Sequence, residues 1–547
     1  MPLKSVCACG VVGLCSVASA QVVAVDPDGV GATDVLARPL GSGVPFAPVP
    51  LDANGVFAGV DTELLVGATA DGEILFHDAG TVRLLKTIGR DAGSSGRVVV
   101  AGDTTVFGLQ DSLAGLSVGR EGVGELVVTD GASWVIDGNQ AIQIGSFAPG
   151  RLVVSGGASF DGPLNPLALE IGGPRQGGNA RPPADGRMSR FLATGEGTTV
   201  TMANVSLAVA MDAEFVVDDG ARVDVSQSLQ LGPPSGAVPR GEFTAKLHVR
   251  NAELGEVTVL SFEAQNSSVL IEDGGRLSVR RMFFSTNLDS SGFPLRRSIV
   301  VRGTESLLEA RATFAPPVAT DIALSLEVLD GGRVEWRSLA PRVFGDPASV
   351  IRVAGEGSTL TGPGMPISFS GAEFDFPVEL GAGGRIEVES ASFVNSDPST
   401  VPERLWIELD ESDAGAGPRF DAPLSSAAGR LRVTLADGFV PSAGQQFQLY
   451  PGLSPDGDVW DDIVLPEPPA GFEWDLPRLI RDGRLAVSCP SPADLAPPFG
   501  IIDLDDIDAF LARFFAVDLS VDFVPPFGII DLDDVDAFIT AFVAGCG

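Results

Sequence analysis

Apolar residues alternate with polar ones in short bursts through most of the chain, and glycine-rich turns separate the bursts. Two consecutive stretches show the rule. Leu116-Ser-Val-Gly119 leads to Gly124-Glu-Leu126-Val-Val128-Thr-Asp-Gly131-Ala-Ser-Trp134. Ile142-Gln-Ile-Gly145 leads to Gly150-Arg-Leu152-Val-Val154-Ser-Gly-Gly157-Ala-Ser-Phe160, with every equivalent displaced by the same offset. An earlier relative, Gly96-Arg-Val98-Val-Val100, aligns with the stretch that starts at Gly124. Period-two alternation predicts strands with one buried face, and a fixed period of roughly 26 residues predicts an array of stacked units. Looser copies follow at Phe215–Val223, Val269–Leu277, Leu326–Val334 and Val378–Ile386. Their Asp-Gly and Gly-Gly pairs supply the positive φ that tight turns require.

The predicted fold is mainly β: a right-handed parallel β-helix, or solenoid, in which each strand lies about 4.8 Å from its counterpart in the next coil. A series of antiparallel β-sandwiches is the rival, and strict repetition over a full period favours stacked coils. The expected division is an irregular cap over 21–71, β-helix repeats over 72–418 and a closing β region over 419–488. Trp460 and Trp474 are expected to cap the open end of the core.

The pattern changes at Cys489. Two copies of one unit follow in direct succession: Asp494-Leu-Ala-Pro-Pro-Phe-Gly-Ile-Ile-Asp503-Leu-Asp-Asp506 and Asp522-Phe-Val-Pro-Pro-Phe-Gly-Ile-Ile-Asp531-Leu-Asp-Asp534. In each, a helical stripe comes next: Ile507, Phe510, Leu511, Phe514 and Phe515, then Val535, Phe538, Ile539, Phe542 and Val543. The preceding aspartates suit the positive end of a helix dipole. Two small helices packed face to face are expected.

Charge and cysteine usage sharpen this picture. The net charge of −36, from 72 acidic and 36 basic residues, argues against a nucleic-acid partner, which needs a basic face. Lys4, the short apolar run Val6–Val17 and Ala18-Ser19-Ala20 form a secretory signal over 1–20, giving a mature chain from Gln21. That run is too short to span a bilayer, so no transmembrane anchor is expected. The protein is expected to be secreted and to reside extracellularly, at the cell surface or in a periplasm. Cys7, Cys9 and Cys15 leave with the signal. Cys489 and Cys546 remain, and in an oxidising compartment they are expected to form a disulfide. It would close a loop of roughly 57 residues, worth about 4 kcal/mol on the chain-entropy account.

An acidic loop followed by a helix, written twice, resembles a dockerin domain. The Cys489-Pro opening, the Ala-Pro-Pro-Phe-Gly loops and the Gly545-Cys546 ending are similar to the subtype that anchors many planctomycete secreted proteins. The resemblance covers residues 489–547. It implies calcium loops in which Asp494 and Asp522 stand first, Gly500 and Gly528 supply the glycine, Asp503 and Asp531 stand ninth, and Asp506 and Asp534 stand twelfth. The middle ligands are replaced by Ala496-Pro-Pro498 and Val524-Pro-Pro526, and Phe499 or Phe527 adds a residue. Two alternatives remain: a weakly held Ca²⁺ completed by water or backbone oxygens, or apolar packing in place of the ion. The resemblance also implies a cohesin-like partner, met at Leu504, Asp505, Leu532 and Asp533. The coils themselves resemble those of bacterial secreted β-helix proteins.

Catalytic motifs are sparse. Gly115-Leu-Ser117-Val-Gly119 matches the serine-hydrolase elbow as a string, but that elbow needs a strand-to-helix turn and here it falls inside a repeat. His77 and His248 are isolated in sequence. Asp410, Glu411 and Asp413, and Asp461 and Asp462, are carboxylate groups of the kind used in sugar chemistry, and such groups are more often turns. The expectation is a non-enzymatic solenoid with a structural, adhesive or ligand-displaying role, docked through its tail, polysaccharide being one partner considered. The alternative is a β-helix polysaccharide lyase or glycoside hydrolase targeted by the tail.

Overall fold

A computed structural model describes residues 21–25, 35–39, 47–48, 61–69, 71–77, 81–103, 105–109, 116–136, 142–162, 169–173, 188–208, 211–232, 243–264, 266–284, 295–314, 322–337, 349–370, 378–394, 401–452, 460–488, 491–497 and 502–545. The expected signal over 1–20 and both Cys489 and Cys546 lie outside these residues. The chain forms two compact units, the second taking in the residues from Asn204 onward.

The first unit is a parallel β-solenoid. Gly72–His77, Ser95–Ala101, Val123–Thr129, Gly150–Ser155 and Ser189–Thr194 pair in parallel, one after the next. The register follows the sequence repeat residue for residue: Gly96 faces Gly124, and Gly124 faces Gly150. A second stack joins Val106–Leu109, Ser133–Ile136 and Ser159–Asp161, and a third joins Leu116–Val118, Ile142–Ile144 and Leu169–Ile171. Alternation puts Leu126, Val128, Leu152 and Val154 fully inside. Trp134 fills the centre, its ring 5.3 Å from Phe107 and 4.5 Å from Phe160, the equivalent residues of the neighbouring coils. The turn Thr129–Ala132 closes by donation from Ala132 N–H to Thr129 O at 3.1 Å, with Asp130 and Gly131 both at positive φ.

The described parts of 21–71 hold paired strands where the sequence predicts an irregular cap. Gln21–Val25 pairs antiparallel with Gly72–His77, and Val35–Pro39 pairs antiparallel with Asp61–Val66. Antiparallel strands give the first coil an edge partner that the repeat alone cannot provide.

The second unit repeats the parallel plan from Ala213–Asp218 through Thr244–Arg250, Asn266–Glu272, Leu295–Arg302 and Ile322–Leu329. Parallel pairing runs on past residue 418, through Glu403–Leu409 and Arg430–Leu435 to Asp462–Val464. Long strands Arg222–Leu231, Glu253–Phe262, Arg276–Phe284 and Leu307–Phe314 form the other wall. A small antiparallel sheet of Gln446–Gln448, Arg484–Ser488 and Glu473–Trp474, with the helix α1 (Leu476–Asp482), closes the coils. Trp460 is buried there against Phe393 and Tyr450, and Trp474 donates its indole N–H to Pro466 O at 2.8 Å.

Along two stretches of the outer face, charged side chains alternate from coil to coil. In the first unit Arg97 bridges Glu73 and Glu125, and Arg151 returns to Glu125 at 3.0 Å. In the second, Asp218, Arg250, Glu272 and Arg302 stand in register, with Arg250 on Asp218 and Arg302 on Glu272. Opposite charges on adjacent strands favour this register, whereas like charges would oppose it.

Candidate functional site: the duplicated C-terminal module

The tail holds two helices, α2 (Leu504–Phe515) and α3 (Leu532–Ala544). Each begins with a reciprocal aspartate cap. Asp503 and Asp531 are the N-caps, accepting from the N–H groups of Asp505 and Asp533, each at 2.8 Å. Asp506 and Asp534 stand three positions later and reach back. Asp506 is fully buried and accepts three backbone N–H groups: Leu495 at 2.6 Å, Ala496 at 2.7 Å and Asp503 at 2.9 Å. Asp534 repeats this with Phe523 at 2.6 Å, Val524 at 3.1 Å and Asp531 at 3.0 Å. The N–H of Asp531 holds the Asp534 carboxyl below its ordinary value, against the opposing effect of burial, and Val524 and Phe523 add to the lowering. These carboxylates therefore tie the start of each loop to the start of each helix.

The core between the copies is built from equivalents. Phe510 and Phe538, which hold the same place in the two copies, stack with ring centroids 4.1 Å apart and planes within 10°. Ala493 and Val521 are buried beside them, and the pairs Leu495/Phe523, Ile502/Ile530, Ile507/Val535 and Phe514/Phe542 pack around. Contact between equivalent residues is the mark of an isologous, two-fold-like arrangement.

That geometry divides the predicted stripe. Phe510 and Phe538 are core, but Leu511, Phe515, Ile539 and Val543 are exposed. With Leu504, 74% exposed, and Leu532, 78% exposed, they give each helix an outward apolar row. The row takes positions i, i+7 and i+11, one side of an α-helix. Asp505 and Asp533 are exposed next to it. All four predicted partner-facing residues are thus on the surface, in two equivalent sets. Periodicity alone cannot separate a face turned to the core from a face left open, which is why Phe515 and Val543 read as core in the sequence.

Calcium meets a mixed donor set. Asp522 Oδ2 accepts from Gly528 N–H, while Asp522 Oδ1 is buried without a hydrogen-bond partner. An ion would find that one oxygen open. The Asp534 carboxylate, by contrast, is engaged by three N–H donors, and Asp531 holds its own helix cap. Among the described residues no three acidic, histidine or cysteine side chains converge on one point. The residues of the second loop therefore do not fit a calcium cage as they stand; an ion there would have to displace backbone donors. In the first loop Gly500 lies outside the described residues.

No protein-family model, curated protein or solved structure matches this chain.

The remaining sequence candidates have structural partners. Ser117 sits on a strand, 3.0 Å from Ser146 Oγ and in register with Gln143, not at a strand-to-helix turn. His248 is not isolated: its Nε2 lies 2.8 Å from Glu272 Oε1, within the outer charge ladder. His77 faces Ala101 in register. Asp413 is buried, raised in pKa by that burial against the pull of Arg419, whose Nη1 donates to it at 2.5 Å. Arg419 also donates to the carbonyls of Gly384, Glu408 and Gly381, tying three coil segments together. Asp410 caps the turn over Glu411–Asp413. Asp461 accepts Gly429 N–H at 2.8 Å, and Asp462 pairs with Arg430 at 2.7 Å. Sequence spacing gave no signal for these roles, because each partner lies on another coil or across a turn.

Proposed function

We propose that this chain is a secreted protein in which a right-handed β-helix is docked, through a dockerin-like C-terminal module, to a cohesin-like receptor domain. The body then serves a structural, adhesive or ligand-displaying role at a surface. The observation that carries the reading is the pair of exposed apolar rows on α2 and α3, each headed by a leucine and an aspartate at the start of the helix. A small module that buries Phe510 and Phe538 yet leaves Phe515 and both leucines in water has surface left over for a partner. The duplication supports two equivalent faces, either of which meets the receptor. Export supports a Cys489–Cys546 bridge around the module.

The test is capture of a cohesin-like protein from the envelope of the source organism by the full chain. Leu504→Asp or Leu532→Asp alone is expected to leave capture largely intact, and the double variant to abolish it. Capture unaffected by the double variant overturns the reading. Excess EDTA separates the two accounts of the loops. Capture is expected to survive it, because Asp506 and Asp534 fix the helices through N–H groups. Loss in EDTA with recovery in Ca²⁺ would make the ion part of the docking surface.

A further inference from the structure

The second unit carries a pocket of about 430 Å³ on the outer face of four successive rungs, Thr244–Arg250, Asn266–Glu272, Leu295–Arg302 and Ile322–Leu329. Register assembles it. Thr244, Asn266 and Arg296 form one column, and Ser268, Ser298 and Ser325 form the next. Lys246, one of only three lysines in the chain, faces Ser268 in that second column. The rungs span about 14 Å at the usual strand spacing, so the pocket is long rather than round.

Two features mark it. First, two outward cations are uncommitted: Arg296 in the lining and Lys246 beside it, in register with Ser268. Elsewhere arginines on this face pair with a carboxylate one coil away, as Arg97, Arg151, Arg250 and Arg302 do. Arg296 and Lys246 are exposed and have no ion pair among the described residues, in a protein of net charge −36. Second, most of its outward neutral groups are unspent. On other coils neighbouring polar side chains bond to each other: Ser155 to Thr129, Ser159 to Ser133 and Ser228 to Asn204. Here the side chains of Thr244, Asn266, Ser268 and Ser298 make no such bond among the described residues. Ser325 is engaged, donating to Glu327 at 3.3 Å, and the buried Ser267 donates to the carbonyls of Leu231 and Ala264. Beneath them Arg297, 2% exposed and set over the Phe284 ring at 5.7 Å, lines the floor. Burial lowers its pKa to about 10, which leaves it charged at neutral pH. The bordering carboxylates are Asp212, which holds Thr244 N–H, Glu214 beside Lys246, Glu263, whose charge acts on Arg297, and Glu327 at the far edge.

We propose that this pocket binds an anionic polysaccharide, with Arg296 and Lys246 holding its acidic groups and the hydroxyls and amide of the two columns holding its sugar hydroxyls. An elongated row of spare donors with two separated cations suits a linear polymer better than a single small anion. Neutral donors supply orientation and the cations select charge. Carboxylate and sulfate share this chemistry. The site goes beyond docking and does not depend on it: the tail can dock with the pocket blocked, and the pocket can bind with both leucines of the tail replaced.

The experiment is affinity electrophoresis and calorimetry of the full chain against three probes: oligogalacturonate for carboxylate, a sulfated dextran oligomer for sulfate, and neutral dextran. Retention by an acidic probe and not by neutral dextran is expected, and the tighter acidic probe identifies the group. Arg296→Ala is expected to weaken that binding about tenfold or more, with Lys246→Ala adding to it. Arg296 is exposed, so the variant should fold, and unchanged far-ultraviolet circular dichroism checks this. Arg333→Ala, removing an arginine paired with Glu335 outside the pocket, should leave binding unchanged. Equal retention by neutral dextran, failure of both acidic probes, or binding indifferent to Arg296→Ala and Lys246→Ala would each overturn the proposal.

Discussion

Replacing Asp506 tests whether the acidic loops of the tail are held from within. Its two oxygens accept three N–H donors, two from the start of the loop and one from the helix N-cap. Hydrogen bonds to a charged group are worth about 1.5–3 kcal/mol each, and donors left unpaired cost about as much. Asp506→Asn keeps an oxygen for Leu495 and Ala496 but sets an amide N–H against that of Asp503. One bond is lost and two lose their charge, for a net cost of about 2 kcal/mol. Asp506→Ala abandons all three. The donors are only partly buried, so water recovers some of the loss, and about 3 kcal/mol is expected. A module of this length has a total stability of roughly 3–9 kcal/mol, so the alanine variant removes a large share of it. Hydrogen exchange by mass spectrometry on the full chain reads this locally, with solenoid peptides as the internal reference. Amides of Leu495, Ala496 and Asp503 should exchange about 30-fold faster in the Asn variant, the factor equivalent to about 2 kcal/mol. Parent-like exchange at these three amides in both variants would refute the carboxylate as their acceptor.

Three further outcomes are expected. Phe510→Ala removes half of the stacked pair and should cost about 3–5 kcal/mol, enough to melt α2 and α3 together; proteolysis should then clip the tail while leaving the solenoid whole. Acid should loosen the second copy: the folded Asp534 carboxyl lies below its unfolded value of about 3.9, so its stabilisation is complete above about pH 4 and disappears as pH falls through the lower folded value. Exchange at Phe523, Val524 and Asp531 followed from pH 5 downward checks this. Asp413→Ala strands the buried Arg419 and should cost about 3–5 kcal/mol, whereas Asp413→Leu with Arg419→Met should cost less than either single change, measured by urea unfolding.

The solenoid was legible because its cause is repeated in the chain. Trp134 and Phe160 occupy the same place in two consecutive units, and the coils stack them 4.5 Å apart. The positive-φ turns were legible for the same reason, since Asp-Gly marks them wherever it recurs. The tail was legible as two capped helices, but the job of its carboxylates was not. A calcium loop and a reciprocal helix cap ask for aspartates at almost the same spacing, and spacing alone does not say that Asp506 accepts three N–H groups. The pocket was hidden for a different reason. Thr244, Asn266, Arg296 and Ser325 are scattered along the chain, one to a rung, and meet only because the coils stack. Gln21–Val25 and Val35–Pro39 follow no period because they pair antiparallel, outside the repeat, and nothing in them needs to recur.

The outer charge ladder makes the coils unequal units of growth. Glu73, Arg97, Glu125 and Arg151 change sign at every step, so the backbone repeats after one coil but the charge repeats only after two. Deleting residues 96–123 would bring Glu73 beside Glu125, whereas deleting 96–149 would bring Glu73 beside Arg151. Over these four rungs the array carries a parity: coils can be lost or gained in pairs with the ladder intact, while a single coil lost between Glu73 and Arg151 sets like charges side by side, as Arg151 and Arg190 already stand where the ladder ends.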